Sequence, residues 1–283
     1  MTDLSSIIDG LKQGQIIPYL GAYALNGSTN DAGEPIPADS DSLIYAMNNG
    51  KPMAPKLMYE FPRAAMNLEL KRGRKFITQF LVKTYKETEW SNTAVHDWLA
   101  SLELPYIIDI NRDLLLQNAY ASRPHTLILG MARIGGTDYR FKLFDYDGEN
   151  YKEITIGTTS SSKPILFKPS GSPVPEAHFI ASDADYVDYL TELMGGFGIP
   201  LFVKEYRKQK QYLFMGLRLL RDTERMIMSD ITYAAGDPKG YILLPDATDK
   251  EKRFCERQNV EIIEADIPDL LQAAGVETMA QAA

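Results

Sequence analysis

The amino-acid sequence predicts an α/β protein with a Rossmann-like, mostly parallel sheet, helices on both faces, a small helical module and a β-hairpin insertion. Short aliphatic runs alternate with amphipathic segments along most of the 283 residues, a pattern typical of parallel strands joined by crossover helices. Hydrophobic residues make up 45% of the chain, enough to bury both faces of such a sheet. Right-handed crossovers then place a ligand at the carboxyl ends of the strands.

The individual elements can be predicted in chain order. An apolar stripe of Leu4, Ile7, Ile8 and Leu11 predicts the first helix, with Asp3 as its N-cap. The other segments are a strand at 16–20, a loop at 26–42, helices across 57–102, strands at 106–110 and 125–132, a hairpin across 139–156, a strand at 165–167, helices at 183–193 and 200–208, a strand at 212–216, a helix at 219–231, and strands at 241–244 and 260–263 around a helix at 249–257. We expect one domain over 1–283, with the helical module inserted at 43–102 and the hairpin insertion at 133–162.

Charge and cysteine content exclude several classes of protein. The chain has 38 acidic and 30 basic side chains, and the resulting net charge of −8 disfavours a nucleic-acid partner. A single cysteine, Cys255, can form neither an internal disulfide nor a cysteine zinc site, so we expect no metal. The chain has no long apolar run and no signal-like start, so we expect a cytoplasmic protein without a membrane partner.

Three predicted strands end in residues suited to binding a nucleotide. These ends are Gly21-Ala22, Asn111-Arg112-Asp113 and Gly216-Leu217-Arg218. A glycine turn lets backbone N–H groups approach a phosphate, and Asn and Asp side chains can bond ribose hydroxyls. Each feature taken alone also fits a plain turn or a helix N-cap.

Five segments, in order along most of the chain, carry a family pattern. They are Ile-Pro-Tyr-Leu-Gly-Ala at 17–22, Ile-Asn-Arg-Asp-Leu-Leu at 110–115, Leu-Phe-Lys-Pro-Ser-Gly-Ser at 166–172, Ser-Asp-Ala-Asp-Tyr at 182–186, and Phe-Met-Gly at 214–216 followed by Asp222. Together they resemble the motifs of the bacterial sirtuin-like NAD-binding proteins, a branch that includes NAD-hydrolysing defence effectors.

The resemblance implies a ligand and a set of site residues. Members of that family bind NAD between a Rossmann-like domain and a helical module, so NAD or ADP-ribose is the expected ligand. In active members an Asn positions a water or a ribose hydroxyl and a His acts as general base. By position, Asn111 is that Asn and Asp113 is its neighbour. The resemblance puts the remaining contacts at the phosphate turn Gly21, Ala22 and Tyr23, and at Ser170, Gly216 and Arg218.

The departures from the family pattern predict weakened catalysis. Ser170 stands where the family has its His, and the loss of a general base typically lowers a rate by about 10² to 10⁴. Tyr23 replaces the second glycine of the phosphate turn. Arg218 replaces a Ser, which indicates either a contact to an anionic ligand or a network of ion pairs. The four-cysteine zinc module of protein deacylases is missing, so lysine deacylation is not expected.

Three hypotheses follow for the function. The first is a pseudoenzyme that binds NAD, ADP-ribose or a related nucleotide as a sensor or as part of an assembly, with a protein partner or a homo-oligomer left open. The second is a protein-interaction scaffold whose pocket is filled by Tyr23 and Leu25. The third is an NAD glycohydrolase whose general base has moved to His178 or Asp113; a loop histidine is the plainer interpretation of His178.

Overall fold

The structure is a computed structural model that describes residues 3–134, 139–158 and 163–276. A nine-stranded sheet forms its centre, and a two-stranded ribbon lies beside it. The strands are β1 (Ile16–Leu20), β2 (Tyr106–Asp109), β3 (His125–Gly130), β4 (Phe141–Tyr146), β5 (Tyr151–Ile154), β6 (Ile165–Lys168), β7 (Gly171–Ser172), β8 (His178–Phe179), β9 (Gln211–Met215), β10 (Gly240–Leu243) and β11 (Val260–Ile263). The ribbon of β7 and β8 is too short for the sequence pattern to reveal.

The strand order places a ligand crevice at the middle of the sheet. The order is β11-β10-β9-β1-β2-β6-β3-β4-β5, parallel from β11 to β3, with β4 and β5 antiparallel. After β1, the chain first forms the strands on the β2 side of the sheet. It then crosses over and forms β9, β10 and β11 on the other side of β1. The order therefore reverses between β1 and β9, and a crevice of this kind is where open α/β sheets bind ligands.

Helices cover both faces of the sheet, which confirms the predicted fold class. They are α1 (Leu4–Lys12), α2 (Ser40–Met47), α3 (Phe61–Arg72), α4 (Arg74–Val82), α5 (Ala94–Ser101), α6 (Leu115–Ala119), α7 (Asp183–Met194), α8 (Leu201–Tyr206), α9 (Asp222–Ile231), α10 (Asp249–Gln258) and α11 (Ile267–Ala273). The predicted N-cap of α1 is present, because the Asp3 carboxylate accepts a hydrogen bond from Ser6 N at 2.8 Å. Helix α9 begins three residues later than the sequence pattern predicts.

Two apolar clusters bury the two faces of the sheet. Tyr19 and Phe214 pack with residues of α7, α8 and α9 on one face. Leu20 and Met215 pack with residues of α1, α5 and α11 on the other. Because successive side chains of a strand point to opposite faces, each buried strand contributes to both clusters. No helix within the described ranges is both long and apolar enough to cross a membrane.

A third apolar cluster lies among α2, α3 and α4, above the carboxyl end of β1. Leu43, Phe61 and Ile77 form part of it, and Leu25 and Leu115 reach it from the sheet side. Leu25 is therefore core of this helical layer. The boundaries of the helical module stay a prediction, and residues 135–138 and 159–162 of the predicted hairpin insertion lie outside the described residues.

Candidate functional site

A pocket lies at the carboxyl ends of β1, β2 and β6, under α2 and the start of α3. The space between its walls measures about 530 Å³, solvent at the open mouth included. Its lining is Ala22, Ala38, Ser40, Leu43, Glu60, Phe61, Pro62, Ile110, Asn111, Arg112, Ser170, Tyr186, Arg221, Thr223, Glu224 and Ile227. Of the predicted site residues, the structure thus brings Ala22, Asn111 and Ser170 together here.

The side chain of Asn111 is held in one orientation. Its Nδ2 donates to Asp109 Oδ1 and to the carbonyl of Gly21, both at 2.9 Å. Its backbone N–H also donates to Asp109 Oδ1, at 3.0 Å. Both amide donors are therefore occupied, and Oδ1 has no partner among the described residues. Asn111 thus offers a hydrogen-bond acceptor to whatever occupies the pocket.

The anchor of Asn111 is itself part of a buried ion pair. The Asp109 carboxylate pairs with Lys168 Nζ, and both side chains are 0% exposed. Asp109 is the last residue of β2 and Lys168 is the last residue of β6, and these two strands are neighbours in the sheet. The ion pair therefore fixes Asp109, and Asp109 fixes Asn111.

Two glycines allow the turns after β1 and β9 to touch. A Cβ on Gly21 would lie 2.5 Å from the carbonyl oxygen of Gly216. Gly216 has φ +66°, and a Cβ there would lie 2.2 Å from Ala24 N. The N–H groups of Gly21 and Tyr23 donate to the carbonyls of Met215 and Gly216, both at 2.9 Å. In the predicted phosphate turn, the N–H group of Ala22 has no hydrogen-bond partner among the described residues.

Tyr23 does not fill the pocket. Its side chain is 41% exposed and is not part of the pocket wall. Leu25, the other residue predicted as a filler, lies in the core of the helical layer. Neither Tyr23 nor Leu25 therefore occupies the pocket.

A family comparison covers the region from β2 to β11. The model of the SIR2-like domain matches residues 105–263. The chain belongs to the SIR2-like family. This confirms the sirtuin-like kinship that the five segments predict and makes the chain an NAD-related protein, since SIR2-like proteins generally bind NAD. A search of curated proteins gives no match to this chain.

Ser170, which the resemblance puts at the position of the family His, lines the pocket of this SIR2-like protein. It lies just after β6, is almost fully buried, and its carbonyl accepts a bond from Ile180 N at 3.0 Å. A serine hydroxyl cannot accept a proton at neutral pH without a base beside it. Ser170 gives the pocket a polar group that is not a base by itself.

Arg112 is a buried cation in the pocket wall. Its Nε donates to the carbonyl of Ile180 and its Nη2 to Tyr186 Oη, both at 2.9 Å. Its Cζ lies 5.3 Å from the centroid of the Phe61 ring. No carboxylate in the described part of the chain lies within 4.0 Å of the guanidinium, although the residue is only 8% exposed. The sequence segment around Asn111 contains Arg112, but its type alone does not predict burial.

Two acidic residues, Glu60 and Glu224, also line the pocket. Glu60 Oε1 accepts bonds from Thr223 N at 3.0 Å and from Thr223 Oγ1 at 2.8 Å, which ties the start of α3 to the first turn of α9. Glu224 Oε2 is buried and unpaired within the described residues. Burial, together with the nearby Glu60, raises the pKa of Glu224 to about 8.

Glu224 is not among the site residues that the sequence predicts. A signal for its burial was nevertheless available, because Glu224 shares a helical stripe with Ile227, Met228 and Ile231, which are all buried. An acid on the apolar stripe of a helix indicates either a paired structural group or a functional one.

The structure does not bring Asp113 or His178 to the pocket. Asp113 is fully buried, with Oδ1 accepting from Leu115 N at 2.8 Å and Oδ2 unpaired among the described residues. Burial raises the pKa of Asp113 to about 6. His178 lies in β8, where its Nε2 contacts Glu176 Oε2 at 2.9 Å. Neither residue is part of the pocket wall.

Arg218 forms ion pairs outside the pocket. Its guanidinium contacts Glu251 through two bonds, of 2.8 Å and 2.9 Å, and Asp246 at 2.6 Å. Glu251 also accepts a bond from Leu219 N at 3.2 Å. This network holds the loop after β9 against α10. The ion-pair interpretation of Arg218 therefore fits the geometry.

Proposed function

We propose that this SIR2-like protein binds NAD or ADP-ribose in the pocket and acts as a sensor or as an assembly component with weakened turnover. The observation that carries the proposal is the fixed Asn111 amide, whose free Oδ1 suits a ribose hydroxyl donor. Ala22 N–H, at the end of β1, is the backbone group suited to a phosphate oxygen. Ser170 at the position of the family His supports the weakened turnover.

Replacing Asn111 tests the binding proposal. We expect Asn111→Ala to weaken ADP-ribose binding by about tenfold or more, because it removes the acceptor and leaves Asp109 and the Gly21 carbonyl without their donor. Calorimetry on folded protein measures the effect. Asn118→Ala, at an exposed position of α6, is the matched control and should keep wild-type affinity. Wild-type protein that takes up neither NAD nor ADP-ribose at millimolar concentration would refute the proposal.

Glu224 favours a second candidate function, slow NAD hydrolysis. It is the pocket acid with an unpaired oxygen, whereas His178 and Asp113 lie elsewhere. In this reaction the oxygen of water bonds to the ribose C1′, the bond to nicotinamide breaks with its electron pair staying on the ring nitrogen, and the water proton passes to the Glu224 carboxylate. The products are ADP-ribose and nicotinamide.

The hydrolysis candidate predicts a specific pH profile. Because the pKa of Glu224 is raised to about 8, only the ionised form above that pH can accept the proton. Nicotinamide release should therefore rise through pH 8 and fall by about 10² or more in Glu224→Gln. His178→Ala serves as the comparison and should keep the activity. A rate that is equal in wild type and Glu224→Gln would remove this candidate.

A further inference from the structure

We propose that Arg112 makes the pocket selective for a nucleotide that carries an oxyanion at the end next to Asn111, rather than the uncharged carboxamide of NAD. This inference deepens the proposed function and rests on it. The chemical class is a dinucleotide or ADP-ribose derivative with a carboxylate or a phosphate at that end. Arg112 would then be the residue that determines specificity.

The first argument is the missing counter-charge. Taking a charged group out of water costs several kcal/mol unless a partner compensates it. Arg112 is only 8% exposed, and within the described residues its hydrogen-bond partners are a carbonyl and a hydroxyl. Both are neutral, so the charge of the guanidinium is not compensated by the protein around it. An oxyanion in the pocket supplies that compensation.

The second argument is the donor that Arg112 keeps available. The bonds to Ile180 and Tyr186 use Nε and Nη2, and Nη1 has no partner in the described part of the chain. The Phe61 ring, 5.3 Å from Cζ, lies against the guanidinium and restricts its movement. The side chain is therefore held in place with one N–H-bearing group left for a ligand. A guanidinium in this state is suited to carboxylate or phosphate.

The other charged side chains of the pocket do not take the place of an anion at Arg112. Glu60 is held at the first turn of α9 by two bonds from Thr223. Glu224 holds its proton at neutral pH, since its pKa is raised to about 8. Arg221 is the second cation of the pocket wall. Its Nη2 lies 3.5 Å from Asp41 Oδ1, and its Cζ lies 5.4 Å from the centroid of the Tyr59 ring. Arg112 is thus the pocket cation that lacks an acidic partner among the described residues.

The position of Arg112 relates it to one end of the ligand. Arg112 directly follows Asn111, and both line the same pocket. If Asn111 bonds the ribose that carries the pyridine ring, the substituent of that ring or ribose is the group within reach of Arg112. A carboxylate differs from a carboxamide by an oxygen in place of the amide nitrogen, so the two ligands have the same shape and differ in charge.

The test compares matched ligands on the full chain by calorimetry at neutral pH. One pair is NAD and its pyridine-3-carboxylate analogue, and the other is ADP-ribose and its derivative phosphorylated on the terminal ribose. We expect the member with the added carboxylate or phosphate to bind, in at least one pair, roughly 10- to 100-fold more tightly than the member without it. The pair that shows the gain identifies the anion as carboxylate or phosphate.

Variants of Arg112 separate selectivity from a structural role. Arg112→Gln should bring the affinity ratio of that pair close to one. Arg112→Lys should keep part of the preference for the anionic ligand, because the positive charge remains while the planar guanidinium is lost. The ratio is the decisive readout, since a purely structural loss weakens both ligands alike. Arg72→Gln, at an exposed position at the end of α3, should leave the ratio unchanged.

The outcomes also separate this inference from the proposed function. Ratios near one in the wild type, with binding that still depends on Asn111, overturn the role of Arg112 and leave the proposed function standing. A preference for the anionic ligand that persists in Arg112→Gln also overturns the role of Arg112. If none of the four ligands binds to the folded wild type, both the inference and the proposed function fail.

Discussion

Replacing Lys168 by methionine should lower the free energy of unfolding by about 3–5 kcal/mol. The variant leaves the Asp109 carboxylate buried without its cation, and neither side chain of this pair has any exposed surface. Urea denaturation followed by circular dichroism measures the loss. Lys163→Met, which breaks the partly exposed pair with Asp145, is the matched control and should cost less than about 1 kcal/mol. Equal losses in the two variants would contradict the role given to the buried pair.

A double variant links this stability to the site. Lys168→Met combined with Asp109→Leu removes the stranded charge, so we expect it to recover part of the lost stability. Asn111 then lacks the carboxylate that accepts from its side chain and its backbone. ADP-ribose binding should therefore stay weak in the double variant even where its fold is restored. Recovery of stability and of affinity together would show that Asp109 does not orient Asn111.

Raising the pH from about 5 to 9 should destabilise the protein through Glu224. The pKa of this carboxyl is raised from 4.5 to about 8 by burial and by Glu60. Between those values the folded state holds the proton and the unfolded state does not, so stability falls as pH rises. At about 1.4 kcal/mol per pKa unit the total effect is on the order of 3–5 kcal/mol. Arg221 and Arg225 oppose the shift, and Tyr19 faces the same carboxyl from β1.

The contribution of Glu224 can be isolated by difference. Glu224→Gln should be more stable than wild type at pH 8.5 and similar to it at pH 5, as measured by urea unfolding at both values. Glu205→Gln, at an exposed position paired with Lys208, is the control and should follow the wild-type profile. Parallel pH profiles for wild type and Glu224→Gln would show that Glu224 does not titrate as described.

The sequence predicted the sheet well because its signals are local. The aliphatic runs at β1, β2, β9 and β10 fall where the structure has strands, since these strands are buried on both faces. The placement of Asn111 and Ser170 in one pocket was also predictable. Both follow parallel strands, and the carboxyl ends of such strands meet at one edge.

The positions of the charged residues in and near the pocket depend on contacts between distant segments of the chain, which local sequence patterns do not encode. Glu224 enters the pocket because α9 packs against the sheet and because Glu60, far away in sequence, holds the first turn of α9 through Thr223. Arg218, predicted near the ligand, is drawn away by Glu251. Arg112 is buried without an acidic partner among the described residues. Its bonds go to Ile180 and Tyr186, which lie in a later segment of the chain.

The two bonds that hold the Asn111 amide come from different strands. The Gly21 carbonyl follows β1, and the Asp109 carboxylate ends β2. The amide thus loses its rotational freedom when the chain folds, and a ligand meets an acceptor that already points in a single direction. Association then requires little further ordering of the protein at this contact, and its geometry is as rigid as the pairing of the two strands.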